Sequence, residues 1–114
     1  MQFLLLIYDQ ENRWTKLSPA QQAAETEAFT AFGNEFTGAI QGGNALQPTA
    51  KARTVRVRDG KNLTTDGPFA ETKEQLGGSY LIEASDAAEA GKIAAKIPWA
   101  KYGSIEVRPI MTFS

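Results

Sequence analysis

The amino-acid sequence predicts an α+β domain, and three observations carry that reading: a short opening run that is apolar on both sides of a pleat, two segments with helix caps and helical spacing, and later segments that alternate with a period of two. Phe3-Leu4-Leu5-Leu6-Ile7-Tyr8 ends at Asp9 and is too short for a buried helix, so it reads as a central strand. Ser18-Pro19-Ala20-Gln21 then starts a long amphipathic helix. Serine takes the N-cap, proline the first helical position, and glutamine closes a capping box. Phe29, Phe32, Phe36 and Ile40 follow at spacings of three and four, and Gly42-Gly43 is expected to stop the helix.

Beyond Pro48, Val55 and Val57 alternate with Thr54, Arg56 and Arg58. Asp59-Gly60 turns the chain toward Asn62 to Thr65, giving a hairpin. Asp66 to Gly78 reads as a loop, with Pro68 able to start one helical turn through Phe69 to Gln75, and Ser79 to Glu83 returns to strand. Ser85 or Asp86 caps a second helix running to Lys96, which Pro98 forbids from continuing. Ser104 to Arg108 is the last strand. Two right-handed crossover helices in this order land on one face of one sheet, and a ferredoxin-like βαββαβ core with an added β-hairpin fits best. No linker divides residues 1–114, so one domain is expected.

Thirteen acidic against twelve basic residues leave a net charge of −1, which supplies no field for a polyanion or an anionic membrane; no nucleic acid and no membrane partner are expected. The absence of cysteine removes disulfides, thiolate metal sites and a thiol nucleophile, and the absence of histidine removes the commonest metal ligand. Neither a cofactor nor a metal is expected. The longest apolar run is far short of the roughly 20 residues that span a bilayer, and it lacks the flanks of a signal peptide, so a cytoplasmic address is expected.

Two helices cover one face of the sheet, yet the first strand presents Phe3, Leu5 and Ile7 on one side and Leu4, Leu6 and Tyr8 on the other. Leaving such side chains wet costs about 1.5 to 3 kcal/mol each, and a homodimer closing over the second face is expected. The alternative is that the hairpin and C-terminal tail fold across it.

The densest polar segment is Asp66-Gly67-Pro68-Phe69-Ala70-Glu71-Thr72-Lys73-Glu74-Gln75-Leu76-Gly77-Gly78. With Thr54-Val55-Arg56-Val57-Arg58-Asp59-Gly60 upstream, and Tyr80-Leu81-Ile82-Glu83 and Glu106-Val107-Arg108-Pro109 downstream, it resembles the DGPF-type branch of the YCII-related proteins. The likeness runs from Leu5-Ile7-Tyr8 to Pro109. It implies a ferredoxin-like fold assembled into dimeric α+β barrels and brings no established activity. Relatives have been proposed as enzymes where a His and an Asp meet in a cleft, and one branch acts on a chlorinated aromatic ring. The resemblance places His where this chain has Tyr102, before Gly103-Ser104-Ile105-Glu106, so the His-Asp mechanism does not transfer.

Candidate residues are weighed singly. Asp66 can act as a general base or anchor a ligand hydroxyl if it is desolvated beside Phe69, whereas Asp before Gly-Pro also simply accepts local backbone N–H groups. Lys73, flanked by Glu71 and Glu74, can offer a cation to an anionic substrate, or the triplet can be a solvated turn. Gly77-Gly78 lies between loop and strand and makes no phosphate-binding fingerprint. Arg108 can clamp an anion and Tyr102 and Tyr8 can donate hydrogen bonds near the open sheet face, although Arg108 can equally pair with Glu106 or Glu83. Lys51, Arg53, Arg56, Arg58 and Lys61 are the one charge cluster; it can bind an acidic partner or a carboxylated substrate, although charged side chains on a hairpin also block unwanted edge pairing. Trp14 and Trp99, both in connecting segments, can edge a pocket, although a tryptophan with its ring buried and its N–H wet is the routine arrangement.

Two functions follow. One is a cofactor-free enzyme or binder of a small polar or aromatic molecule, with a cleft near the Asp66 to Gly78 loop. The other is a non-catalytic interaction module accessory to transcription regulation.

Overall fold

The computed structural model describes residues 1–113. The elements are β1 (Gln2–Asp9), α1 (Glu11–Thr15), α2 (Pro19–Glu35), β2 (Ile40–Ala45), β3 (Arg53–Arg58), β4 (Lys61–Asp66), β5 (Gln75–Glu83), α3 (Ala87–Ala94) and β6 (Ser104–Pro109), with single 3-10 turns at Thr49–Lys51 and Pro98–Lys101. Four strands form one antiparallel sheet in the order β2-β5-β1-β6, while β3 and β4 form a separate two-stranded sheet. This is the ferredoxin-like order with the hairpin inserted between its second and third strands.

β1 is central because its two faces are both used. Phe3, Leu5 and Ile7 are buried under the helices, while Leu4, Leu6 and Tyr8 are half-buried on the opposite face. Leu5 pairs with Tyr80 of β5 and Val107 of β6, which fixes the face that each neighbouring residue shares. Phe32 of α2, Ile93 of α3 and Ile97 complete the core over Phe3, Leu5 and Ile82.

α2 starts where the sequence places it. Ser18 Oγ accepts the Gln21 N–H at 3.2 Å, and Gln21 Oε1 accepts the Ser18 N–H at 2.9 Å, so the capping box is complete. Asp86, rather than Ser85, caps α3 by accepting the Glu89 N–H at 2.8 Å.

The helix end is different from the expectation. α2 stops at Glu35, where Thr37 Oγ1 turns back to the Gly33 and Asn34 carbonyls, and Ile40 and Gly42-Gly43 belong to β2. Ile40 keeps the helical spacing because its N–H still reaches the Phe36 carbonyl at 2.9 Å, the last such bond before the chain extends. Gly43 serves close approach and not helix termination, since a Cβ there would stand 2.8 Å from Tyr80 Cδ1.

The loop between β4 and β5 holds no helical turn after Pro68; Gly67 takes φ 99° and the chain runs irregularly to Gln75. Two further elements, α1 and the 3-10 turn Pro98–Lys101, lie in segments read as connections. Among the described residues, no helix is long and apolar enough to cross a membrane.

Candidate functional site

A cleft of about 1440 Å³ opens where the C-terminal end of β1 meets α1, α2, β2, β5 and the loops on either side of the hairpin. Its rings are Trp14, Phe29, Tyr80 and Trp99, and its backbone walls include Gly42-Gly43 and Gly77-Gly78. Trp14 and Trp99 lie 6.1 Å apart between ring centres, and Phe29 meets Trp99 edge-on at 5.4 Å. Both tryptophans therefore do edge a pocket. Burial pushes the Tyr80 phenol pKa up, which keeps the phenol a neutral hydrogen-bonding group.

Asp9 ends β1 at the cleft and is 5% exposed. Its Oδ1 accepts the Gln10 N–H at 2.7 Å and its Oδ2 accepts Arg13 Nε–H at 2.7 Å, across one turn of α1. Arg13 spends its other edge on Glu25 of α2, with Nη1 and Nη2 donating to the two oxygens at 2.8 and 2.9 Å. Trp99 Nε1–H also donates to Glu25, at 2.9 Å, and the Arg13 guanidinium lies 4.1 Å from the Tyr102 ring centre.

The network thus ties the end of β1 to α2 and to the Pro98–Lys101 turn. The Arg13 hydrogen bonds hold the Glu25 carboxyl below the usual carboxylate range against the opposing effect of burial, and the same bonds raise the Arg13 pKa. Among the described residues each Asp9 oxygen accepts one hydrogen bond, which leaves acceptor capacity for a ligand hydroxyl or N–H.

A second set of bonds holds the rim. Glu11 accepts the Thr49 N–H at 2.7 Å and Thr49 Oγ1–H at 2.9 Å, and its own N–H donates to Gln75 Oε1 at 3.0 Å. Gln75 Nε2 donates to the Thr72 carbonyl at 2.5 Å. One end of α1 is in this way fastened to both loops that lead to the hairpin.

The candidate residues separate. Glu71 and Lys73 line the cleft. Asp66 stands at the base of the hairpin, 89% exposed and 3.6 Å from Arg53, and Phe69 is 78% exposed, so the two are not the desolvated pair that the sequence suggested. Tyr8 lies on the open sheet face opposite Leu76 and Ser104. Tyr102 sits behind the cleft on Arg13, and Arg108 is an exposed residue 3.7 Å from Glu106 of its own strand. Asp9, Arg13 and Glu25 were not singled out from sequence. The available signal was an acid at the end of an apolar strand with an arginine four residues on, which reads equally well as a surface pair.

A four-stranded antiparallel sheet with two crossover helices on one face, an inserted hairpin and an aromatic cleft defines a ferredoxin-like α+β protein with room for a small ligand. The chain belongs to the YCII-related family, whose domain model matches residues 1–114. It is 34% identical over 117 aligned positions to an uncharacterised protein of Rhizobium meliloti strain 1021, covering 99% of this chain and 94% of that one. Its fold is similar to that of 5-chloro-2-hydroxyhydroquinone dehydrochlorinase from Burkholderia phenoliruptrix AC1100, solved in complex with 2,5-dihydroxybenzoquinone. The TM-score is 0.60 at 16% identity, over 97% of this chain and 94% of that chain.

Proposed function

We propose that this chain binds a small polar or aromatic molecule in the cleft beside the Asp66 to Gly78 loop and acts on it without a cofactor, or serves as its binder. The observation that carries the reading is the meeting, in one cleft, of four aromatic rings with the buried Asp9 carboxylate and the Lys73 ammonium. Flat rings stack on the walls, Asp9 receives a hydroxyl proton donor, and Lys73 faces developing negative charge. The fold relative's 2,5-dihydroxybenzoquinone has this chemistry, and a hydroxylated ring of that kind is the substrate class favoured here.

The second part of the proposal is a homodimer. Its support is the half-buried strip of Leu4, Leu6 and Tyr8 on the sheet face away from the helices, which two-fold pairing covers.

Calorimetric titration with 2,5-dihydroxybenzoquinone tests the ligand. Saturable binding is expected, weakened at least tenfold by Asp9→Asn and by Lys73→Ala. Absence of saturable heat, or affinity untouched by both substitutions, removes the assignment.

A further inference from the structure

The β3–β4 hairpin forms a sheet of its own, apart from the four-stranded one. It makes the molecule extended: the radius of gyration is 16.2 Å, where a compact chain of this length has about 13 Å. A lone two-stranded hairpin is marginal in water, so this one needs a surface to lie on. Its register sets Val55 opposite Thr64 and Val57 opposite Asn62 on one face. These valines are 60% and 58% exposed, and Leu63 on the other face is 49% exposed.

Charge indicates what the surface is. Residues 53–66 hold four cations (Arg53, Arg56, Arg58 and Lys61) against Asp59 and Asp66, a net of +2 in a chain of net −1, which leaves −3 on the remainder. A basic arm bearing apolar side chains is thereby complementary to the acidic body of another copy. A two-fold pair lets each arm reach the other body, which is a closed arrangement.

The arm is also attached to the cleft at both ends. Pro48 and Thr49 before it, and Glu71, Thr72 and Lys73 after it, are cleft walls. We propose that the hairpin is an arm that packs on a second copy of this chain, and that its docking sets the cleft wall that carries Glu71 and Lys73, so that the site is complete only in the pair. This rests on the homodimer proposed above and adds to it the contact and its consequence for the site.

Sedimentation velocity and hydrogen–deuterium exchange across a concentration series test it, on the wild-type chain, the Val55→Asp/Val57→Asp variant, an Arg56→Glu/Arg58→Glu variant and Leu6→Asp. In the wild type, the Ala70 to Lys73 amides are expected to exchange at least tenfold more slowly in the paired state than in the single one. Both arm variants should pair at least tenfold more weakly and show the fast exchange at concentrations where the wild type is paired. At concentrations where the wild type is single, circular dichroism of the arm variants should match it, because these side chains face solvent in the single chain.

Arm variants that pair as tightly as wild type overturn the arm contact while leaving sheet-face pairing intact. Weakened pairing with equal Ala70 to Lys73 exchange in both states overturns the link to the site. A wild type that stays single at every concentration overturns both proposals, and a Leu6→Asp chain that pairs normally while the arm variants do not removes the sheet-face contact alone. None of these readouts depends on a ligand.

Discussion

Arg13→Met is the sharpest test of the network behind the cleft. The substitution keeps much of the stem volume and removes every bond to Asp9 and Glu25, leaving Asp9 with the Gln10 N–H and Glu25 with Trp99 Nε1–H. Breaking a buried ion pair by deleting one partner costs about 3–5 kcal/mol. Asp9 is 5% exposed, but Glu25 and Arg13 reach 14% and 21%, which favours the lower end. With an unfolding entropy of about 2.1 cal/mol/K per residue, a loss of about 3 kcal/mol corresponds to a Tm lower by about 12 °C.

Thermal unfolding followed by circular dichroism reads this directly, and Arg13→Lys, which keeps the charge without the fork, should fall between. The acid limb supplies an independent check. The Glu25 pKa is lowered by folding, so its contribution is fully present above the unfolded-state pKa and is lost as pH falls through the folded one. The wild type should therefore lose its advantage over Arg13→Met as the solution is acidified through and below the ordinary carboxylate range. A variant melting within about 3 °C of wild type at neutral pH, or an unchanged gap in acid, would refute the reasoning.

Three other outcomes are expected. Ile82→Ala empties a position with no exposed surface against Phe3 and Ile40, and chemical denaturation should show a loss of about 2–5 kcal/mol. Gly33→Ala adds a methyl to α2 with nothing within 4 Å and should raise stability by about 0.5–1 kcal/mol, whereas Gly103→Ala would place its Cβ 1.9 Å from the Tyr8 carbonyl oxygen and should lower it strongly. Glu11→Ala removes both bonds to Thr49, and the Thr49 amide should then exchange faster while core amides are unchanged.

Local chemistry made much of the fold readable. Ser18-Pro19 with Gln21 fixes a helix start whatever packs on it, and Val55 and Val57 around Asp59-Gly60 fix a hairpin from its own twist and alternation. The end of α2 was not readable in the same way, because Ile40 satisfies helical spacing through its bond to Phe36 while its backbone already leads into β2. Gly42-Gly43 looks like a helix stop from sequence, and only the Tyr80 ring lying on Gly43 reveals the reason for a missing side chain.

The site divides along the same line. Glu71 and Lys73 lie on a segment whose composition marks it, so they could be picked out locally. Asp9 and Arg13 stand four residues apart and are local neighbours, but Glu25 and Trp99 join them only when α2 and the Pro98–Lys101 turn are packed on β1 and α1, and no spacing in the chain records that meeting. Asp66 and Phe69 were drawn to the cleft by their neighbours in sequence, yet the strand β4 carries Asp66 out along the hairpin base instead.

The most direct test of the cleft as a ligand site is a nitrogen–proton correlation spectrum recorded while 2,5-dihydroxybenzoquinone is added. The indole Nε1–H signals of Trp14 and Trp99 should move together and saturate, along with the amides of Asp9 and Tyr80. Stationary indole signals, or changes confined to Leu4 and Leu6 on the opposite sheet face, would contradict the account.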